Sequence, residues 1–136
     1  MLFRSGQMDP GTRVLATAGA LLASLAAALA ATGSHVLAQR LDAAGLASFN
    51  TAVAFQFVNS LGLFAVAWAR ERLPGSRLLR LSGWLLLAGT VLFCGSIYAA
   101  RLGLIATAGT TAPIGGSAVI LAWLGVALAI AAGPSR

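Results

Sequence analysis

Apolar residues gather along this chain into four long runs separated by short turn-rich stretches, with little of the two-residue alternation that marks half-buried strands. The runs cover residues 14–32, 49–69, 81–100 and 113–132. A helix needs about 20 apolar residues to cross about 30 Å of hydrocarbon, and all four runs meet that length. The pattern therefore predicts an all-α fold, an integral membrane four-helix bundle running up-down-up-down. One membrane domain over residues 1–136 is expected. Arg70 to Arg80, with Leu73-Pro74-Gly75-Ser76, and Arg101 to Ala112 hold the breakers and turn residues that separate the later helices.

The helix ends carry their own signals. Asp42 precedes Ala43-Ala44-Gly45-Leu46 and is placed to cap the second helix, accepting from its first free amides. That helix is then expected to start ahead of its apolar run. Leu37, Leu41 and Ala44 recur at helical spacing and suggest a short interfacial piece before it. Pro113 suits the first turn of the fourth helix. The first run also has signal-peptide features, with Arg4 and Arg13 in front and Ala28-Leu29-Ala30 as an A-x-A site. Its apolar length exceeds the usual 7–15 residues or so, which favours a retained helix.

Small residues punctuate the runs: Gly19, Ala23, Ala27 and Ala31 four apart, then Gly83, Gly89 and Gly95, then Gly115-Gly116. Helices in lipid gain nothing from the hydrophobic effect by associating, so close backbone approach supplies contact energy. These positions are the expected seams.

Composition agrees with the pattern. The 136 residues are 59% hydrophobic and only 9% charged, whereas soluble domains carry about 25% charged residues. The single Cys94 lies inside an apolar run and offers neither disulfide nor metal spacing. The net charge of +6 comes from arginines at the ends of apolar runs, which fits loop topology rather than nucleic acid. With four crossings, Arg4, Arg13, Arg70, Arg72, Arg77, Arg80 and Arg136 fall on one side and Arg40 and Arg101 on the other. Seven against two places both termini in the cytoplasm by the positive-inside rule, with Trp68 and Trp84 near that interface.

Polar side chains within the runs are the best pointers to chemistry, because hydrocarbon penalises them. Gln56, Asn59 and Ser60 share one helix face, and Ser96 and Tyr98 lie toward the outer end of the third run. His35 follows the first run and has the one side chain here whose ordinary pKa is near neutrality. Thr110, Thr111 and Ser117 flank the start of the fourth. Together they predict a polar cluster of His35, Gln56, Asn59, Ser96 and Tyr98 that opens outward and binds or conducts a small ligand or lipid headgroup. The alternative is packing polarity inside a structural or accessory subunit, set against itself or a larger complex. Expected partners are membrane lipids and a second copy or another membrane protein. No metal site or cofactor is expected, and no catalytic residues: metalloprotease, nucleophile-elbow and phosphate-loop signatures are missing.

Four blocks in order resemble a known family. Thr32-Gly33-Ser34-His35-Val36-Leu37 resembles a Gly-x-His-x-Leu signature. Phe49-Asn50-Thr51-Ala52-Val53-Ala54-Phe55-Gln56 resembles Phe-x-Thr-Ala-Val-x-Tyr-Gln. Leu92-Phe93-Cys94-Gly95-Ser96-Ile97-Tyr98 and Pro113-Ile114-Gly115-Gly116 match two more. Over about Val14 to Leu128 the chain is similar to the transmembrane protein 256-like family (domain of unknown function 423). The resemblance implies a four-helix protein of bacterial inner membranes, with eukaryotic relatives and no established activity. The family usually has a histidine shortly after its Tyr-Gln pair. Here Asn59 stands there and Phe55 replaces the tyrosine, so a two-histidine metal or proton site is not implied, while a neutral polar site is.

Overall fold

The computed structural model describes residues 6–134, so Arg4 and Arg136 of the orientation count lie outside the described residues. Four helices follow one another: α1 (Pro10–His35), α2 (Ala43–Arg72), α3 (Arg77–Arg101) and α4 (Ala112–Ala132). All four are long and apolar enough to cross a membrane. Successive helices are antiparallel neighbours, giving the up-down-up-down path. One end of the bundle carries Asp9, Arg70 and Arg77, and the other carries His35, Asp42 and Arg101. They are called here the Arg70 end and the His35 end. Between Arg80 and Arg101 α3 rises about 32 Å at 1.5 Å per residue, close to the hydrocarbon thickness of about 30 Å.

Each start is fixed by a side chain that accepts one of the amides a helix leaves unpaired. Asp9 Oδ2 accepts from Thr12 N at 3.2 Å, Asp42 Oδ1 from Gly45 N at 2.7 Å, and Ser76 Oγ from Leu79 N at 3.2 Å. Because Asp42 caps α2, that helix starts six residues before Phe49 and is the longest of the four. A 3₁₀ turn at Leu37–Gln39 links α1 to it and buries Leu37. At the other stop, Gly103 takes a left-handed φ of 73° and lets Leu104 N bond back to Ala99 O at 2.9 Å.

α2 and α3 form the centre of the molecule, with α1 packed on α2 and α4 on α3. The main core joins Leu15, Leu63, Val66, Leu79, Leu86, Ala122 and Val126; Ala26, Leu37, Phe49 and Val53 make a smaller one at the His35 end. Outward-facing Val58, Leu61, Leu81, Ile120, Leu121 and Leu128 are exposed. Apolar surface on that scale needs lipid around it.

The seams differ in part from those the spacing suggests. On α1 the buried line runs Thr12, Leu15, Gly19, Ala26, Gly33, while Ala27 and Ala31 are exposed. A four-residue step turns a helix by about 400°, so a strict four-residue series drifts some 40° per step off the contact line. On α3, Gly83 and Gly89 lie in contact, but Gly95 faces open space. Gly115 is where the backbones come closest: a Cβ there would fall on the Phe93 backbone, and one on Gly89 would lie 3.0 Å from Gly115 O. The α3–α4 pair is therefore joined backbone to backbone, which only residues without side chains permit.

Candidate functional site

Gln56 sits near the middle of α2 and is 1% exposed, deep enough that each polar atom needs a partner inside the protein. Its Nε2 donates to Leu22 O of α1 at 2.7 Å, and its Oε1 accepts from Tyr98 OH of α3 at 2.8 Å. The approach follows from helix geometry. Side chains tilt toward their helix N-terminus, so Gln56 leans toward the His35 end and Tyr98, on the antiparallel α3, leans back to meet it. Phe49 packs on the Tyr98 ring at 5.3 Å between centroids.

One turn further along α2, Asn59 is 3% exposed. Its Nδ2 donates to Phe55 O at 2.8 Å, and its Oδ1 accepts from Trp123 Nε1 of α4 at 2.9 Å. Trp123 reaches across because Gly62 leaves the space; a Cβ there would collide with the indole. Ser60 Oγ donates to Gln56 O at 2.6 Å, and Cys94 Sγ donates to Ala52 O at 3.3 Å. These groups make a polar layer closed on itself.

Of the five residues expected to cluster, the structure brings Gln56 and Tyr98 into one bond and sets Asn59 beside them. His35 is exposed at the end of α1. Thirteen residues, about 20 Å of helix, separate it from Leu22, the level of Gln56. Ser96 is buried but donates to Phe93 O of its own helix at 2.9 Å. It lies two residues, about 200° of turn, from Tyr98 and so points elsewhere. Trp123 belongs to the layer and was not anticipated, since belt logic sends tryptophan to interfaces. Trp68 and Trp84 do lie on the Arg70 half, both exposed, with Arg72 over the Trp68 ring at 4.8 Å. Among the described residues no group of three or more His, Cys, Asp or Glu is placed to hold a metal ion.

Arg70, one of the loop cations counted above, is buried. Its Nη2 donates to Asp9 Oδ2 at 3.1 Å, which ties the start of α1 to the end of α2. Its Nη1 and Thr12 Oγ1 are buried with no partner among the described residues.

Two grooves flank α2 on the membrane-facing surface. The larger, of about 810 Å³, lies between α2 and α4 and is lined by Thr51, Ala54, Phe55, Val58, Ile120 and Trp123 among others. It lies where α2 and α4 are not close backbone neighbours and Trp123 bridges them through its bond to Asn59. The smaller, of about 460 Å³, lies between α1 and α2, with Ala26, Ala27, Ala30, Ser34, Asn50 and Phe57 in its walls.

The family described as "Protein of unknown function (DUF423)" matches residues 29–116, from the end of α1 to the first turn of α4. The chain belongs to this family. Within DUF423 the similarities extend well beyond the matched segment. The UPF0382 membrane protein YwdK of Bacillus subtilis (strain 168) is 36% identical over 86% of this chain and 95% of its own length. A UPF0382 membrane protein of Staphylococcus saprophyticus is 35% identical over 82% of this chain and 92% of its own length. The UPF0382 inner membrane protein YgdD of Escherichia coli (strain K12) is 30% identical over 71% of this chain and 72% of its own length. No solved structure matches the chain. With four apolar helices and relatives named as membrane proteins, this DUF423 member is a multi-pass membrane protein.

Proposed function

We propose that the protein binds lipid, holding hydrocarbon in the groove between α2 and α4. The groove itself carries the reading: about 810 Å³ walled almost wholly by apolar side chains and opening on the membrane face. The polar layer behind it supports a groove binder over a conduit through the bundle. Gln56 and Asn59 each already engage both carbonyl and amide, with Leu22, Tyr98, Phe55 and Trp123, so these groups serve to join helices rather than to line a path for a solute. Their part is to hold α2 at a fixed distance from its neighbours, and so to hold the groove open. We place the protein in the bacterial inner membrane with the Arg70 end cytoplasmic, on the arginine bias and on the name of the Escherichia coli relative. No chemical step is proposed.

Native mass spectrometry of protein released from nanodiscs of phosphatidylethanolamine and phosphatidylglycerol tests this. A retained lipid mass is expected, lost when Ile120→Trp fills the groove from its exposed rim. Bare protein, or an oligomer of fixed stoichiometry with no adduct, would transfer the assignment to a structural subunit.

A further inference from the structure

The two grooves are not independent. Ala54 lines both, so its methyl group is the only side chain on the ridge that divides them at that level of α2. One turn nearer the His35 end, Asn50 and Thr51 stand on the two sides of the same ridge, Asn50 in the smaller groove and Thr51 in the larger. One turn the other way, Phe57 and Val58 do the same. Both grooves thus run side by side along α2, separated by a low wall.

Each groove also has the same polarity along its length. The smaller begins at Ser34 and Asn50 and descends along Ala30, Ala27 and Ala26. The larger begins at Thr51 and descends along Val58, Ile120 and Leu124. Polar groups without a partner on another helix lie toward the His35 end; toward the middle of the membrane the walls are hydrocarbon apart from Asn59 of the larger groove, whose carbonyl and amide are bonded to Trp123 and Phe55. Asn50 is exposed, and its side-chain amide makes no hydrogen bond among the described residues. This free amide, about two turns inside the Asp42 cap and next to the start of the apolar run at Phe49, is open to an acceptor from outside the protein.

We infer that the occupant is one diacyl glycerophospholipid of the leaflet at the His35 end, straddling α2 at Ala54 with one acyl chain in each groove and its ester region over Asn50. This rests on the lipid-binding reading above and specifies its ligand. A single-chain amphiphile would fill only one groove and leave the other to bulk lipid. A two-chain lipid matches both grooves, their shared wall and their common polarity at once.

The test compares palmitoyl-oleoyl phosphatidylethanolamine with palmitoyl lysophosphatidylethanolamine, each added to the full-length protein and scored by native mass spectrometry. Ala30→Phe fills the smaller groove alone and Ile120→Trp the larger alone; both positions are exposed, so the core is untouched. The diacyl adduct is expected to fall at least tenfold in either variant. The lyso adduct is expected to survive Ala30→Phe and to vanish in Ile120→Trp. A diacyl adduct undiminished by Ala30→Phe, and by the second smaller-groove variant Ala27→Phe, overturns the two-chain assignment while leaving the larger groove as a lipid site. Absence of every adduct from the wild type overturns the lipid-binding reading and this inference with it. Helical circular dichroism of each variant, matching the wild type, certifies the fold.

Discussion

Hydrogen bonds across helices in lipid are individually modest, averaging about 0.6 kcal/mol and reaching about 1.7. The Gln56–Tyr98 contact offers a direct measurement, since each residue can lose its polar atom without losing its bulk. Gln56→Leu and Tyr98→Phe are each expected to destabilise the protein. The double variant should cost less than the two single costs added, by about 0.6–1.7 kcal/mol, in unfolding measured by circular dichroism in mixed micelles. Fully additive costs would mean that the 2.8 Å contact contributes nothing. At this scale the sequence was informative about one side of each bond. Gln56 and Asn59 share a face because they are three apart, and polar groups in an apolar run must find partners. Their partners were not legible. Tyr98 and Trp123 are chosen by helix adjacency and by side-chain tilt, and neither is written in local spacing. His35 and Ser96 joined the expected cluster by lying at the same end in sequence, but depth along α1 and turn angle along α3 separate them.

Two ways of joining helices coexist in this fold. The five side-chain hydrogen bonds between helices among the described residues all involve α2: Gln56 with Leu22, Tyr98 with Gln56, Cys94 with Ala52, Trp123 with Asn59, and Arg70 with the Asp9 cap of α1. The α3–α4 pair has none of these and comes together at Gly89 and Gly115, and at Gly125 against Ser82. Gly115→Ala is therefore expected to push α4 off α3, costing about 1–3 kcal/mol as an overpacked contact. Gly95→Ala, on the same α3 but facing open space, should be neutral or slightly stabilising through helix propensity. Thermal unfolding of the pair of variants decides the matter, and equal effects would remove glycine packing as the explanation. Four helices and their order were readable from run length alone, because the bilayer imposes it. The seams were readable only where the spacing coincided with the true contact line, as at Gly19 and Gly115. Helix twist carries any fixed four-residue series away from it.

For the molecule as a whole, orientation in the membrane is the property most open to test. Ser76→Cys and Thr107→Cys place single thiols in the turns at the Arg70 and His35 ends, against a background in which Cys94 is buried. In intact spheroplasts an impermeant maleimide should label Thr107→Cys and leave Ser76→Cys unmodified until the membrane is opened. The reverse pattern would invert the bundle. The bond from Gln56 to Leu22 O also bears on how the chain is made. The first helix carries no buried polar group near its middle and can enter the bilayer alone. The second would bring a bare carboxamide into hydrocarbon, at a cost of several kcal/mol for an unmet polar group. The carbonyl of Leu22, already paired within its own helix, has a second lone pair to offer. During synthesis the ribosome thus delivers the acceptor before the donor, so the second segment can leave the translocon as half of a hairpin, its amide never meeting lipid unpaired.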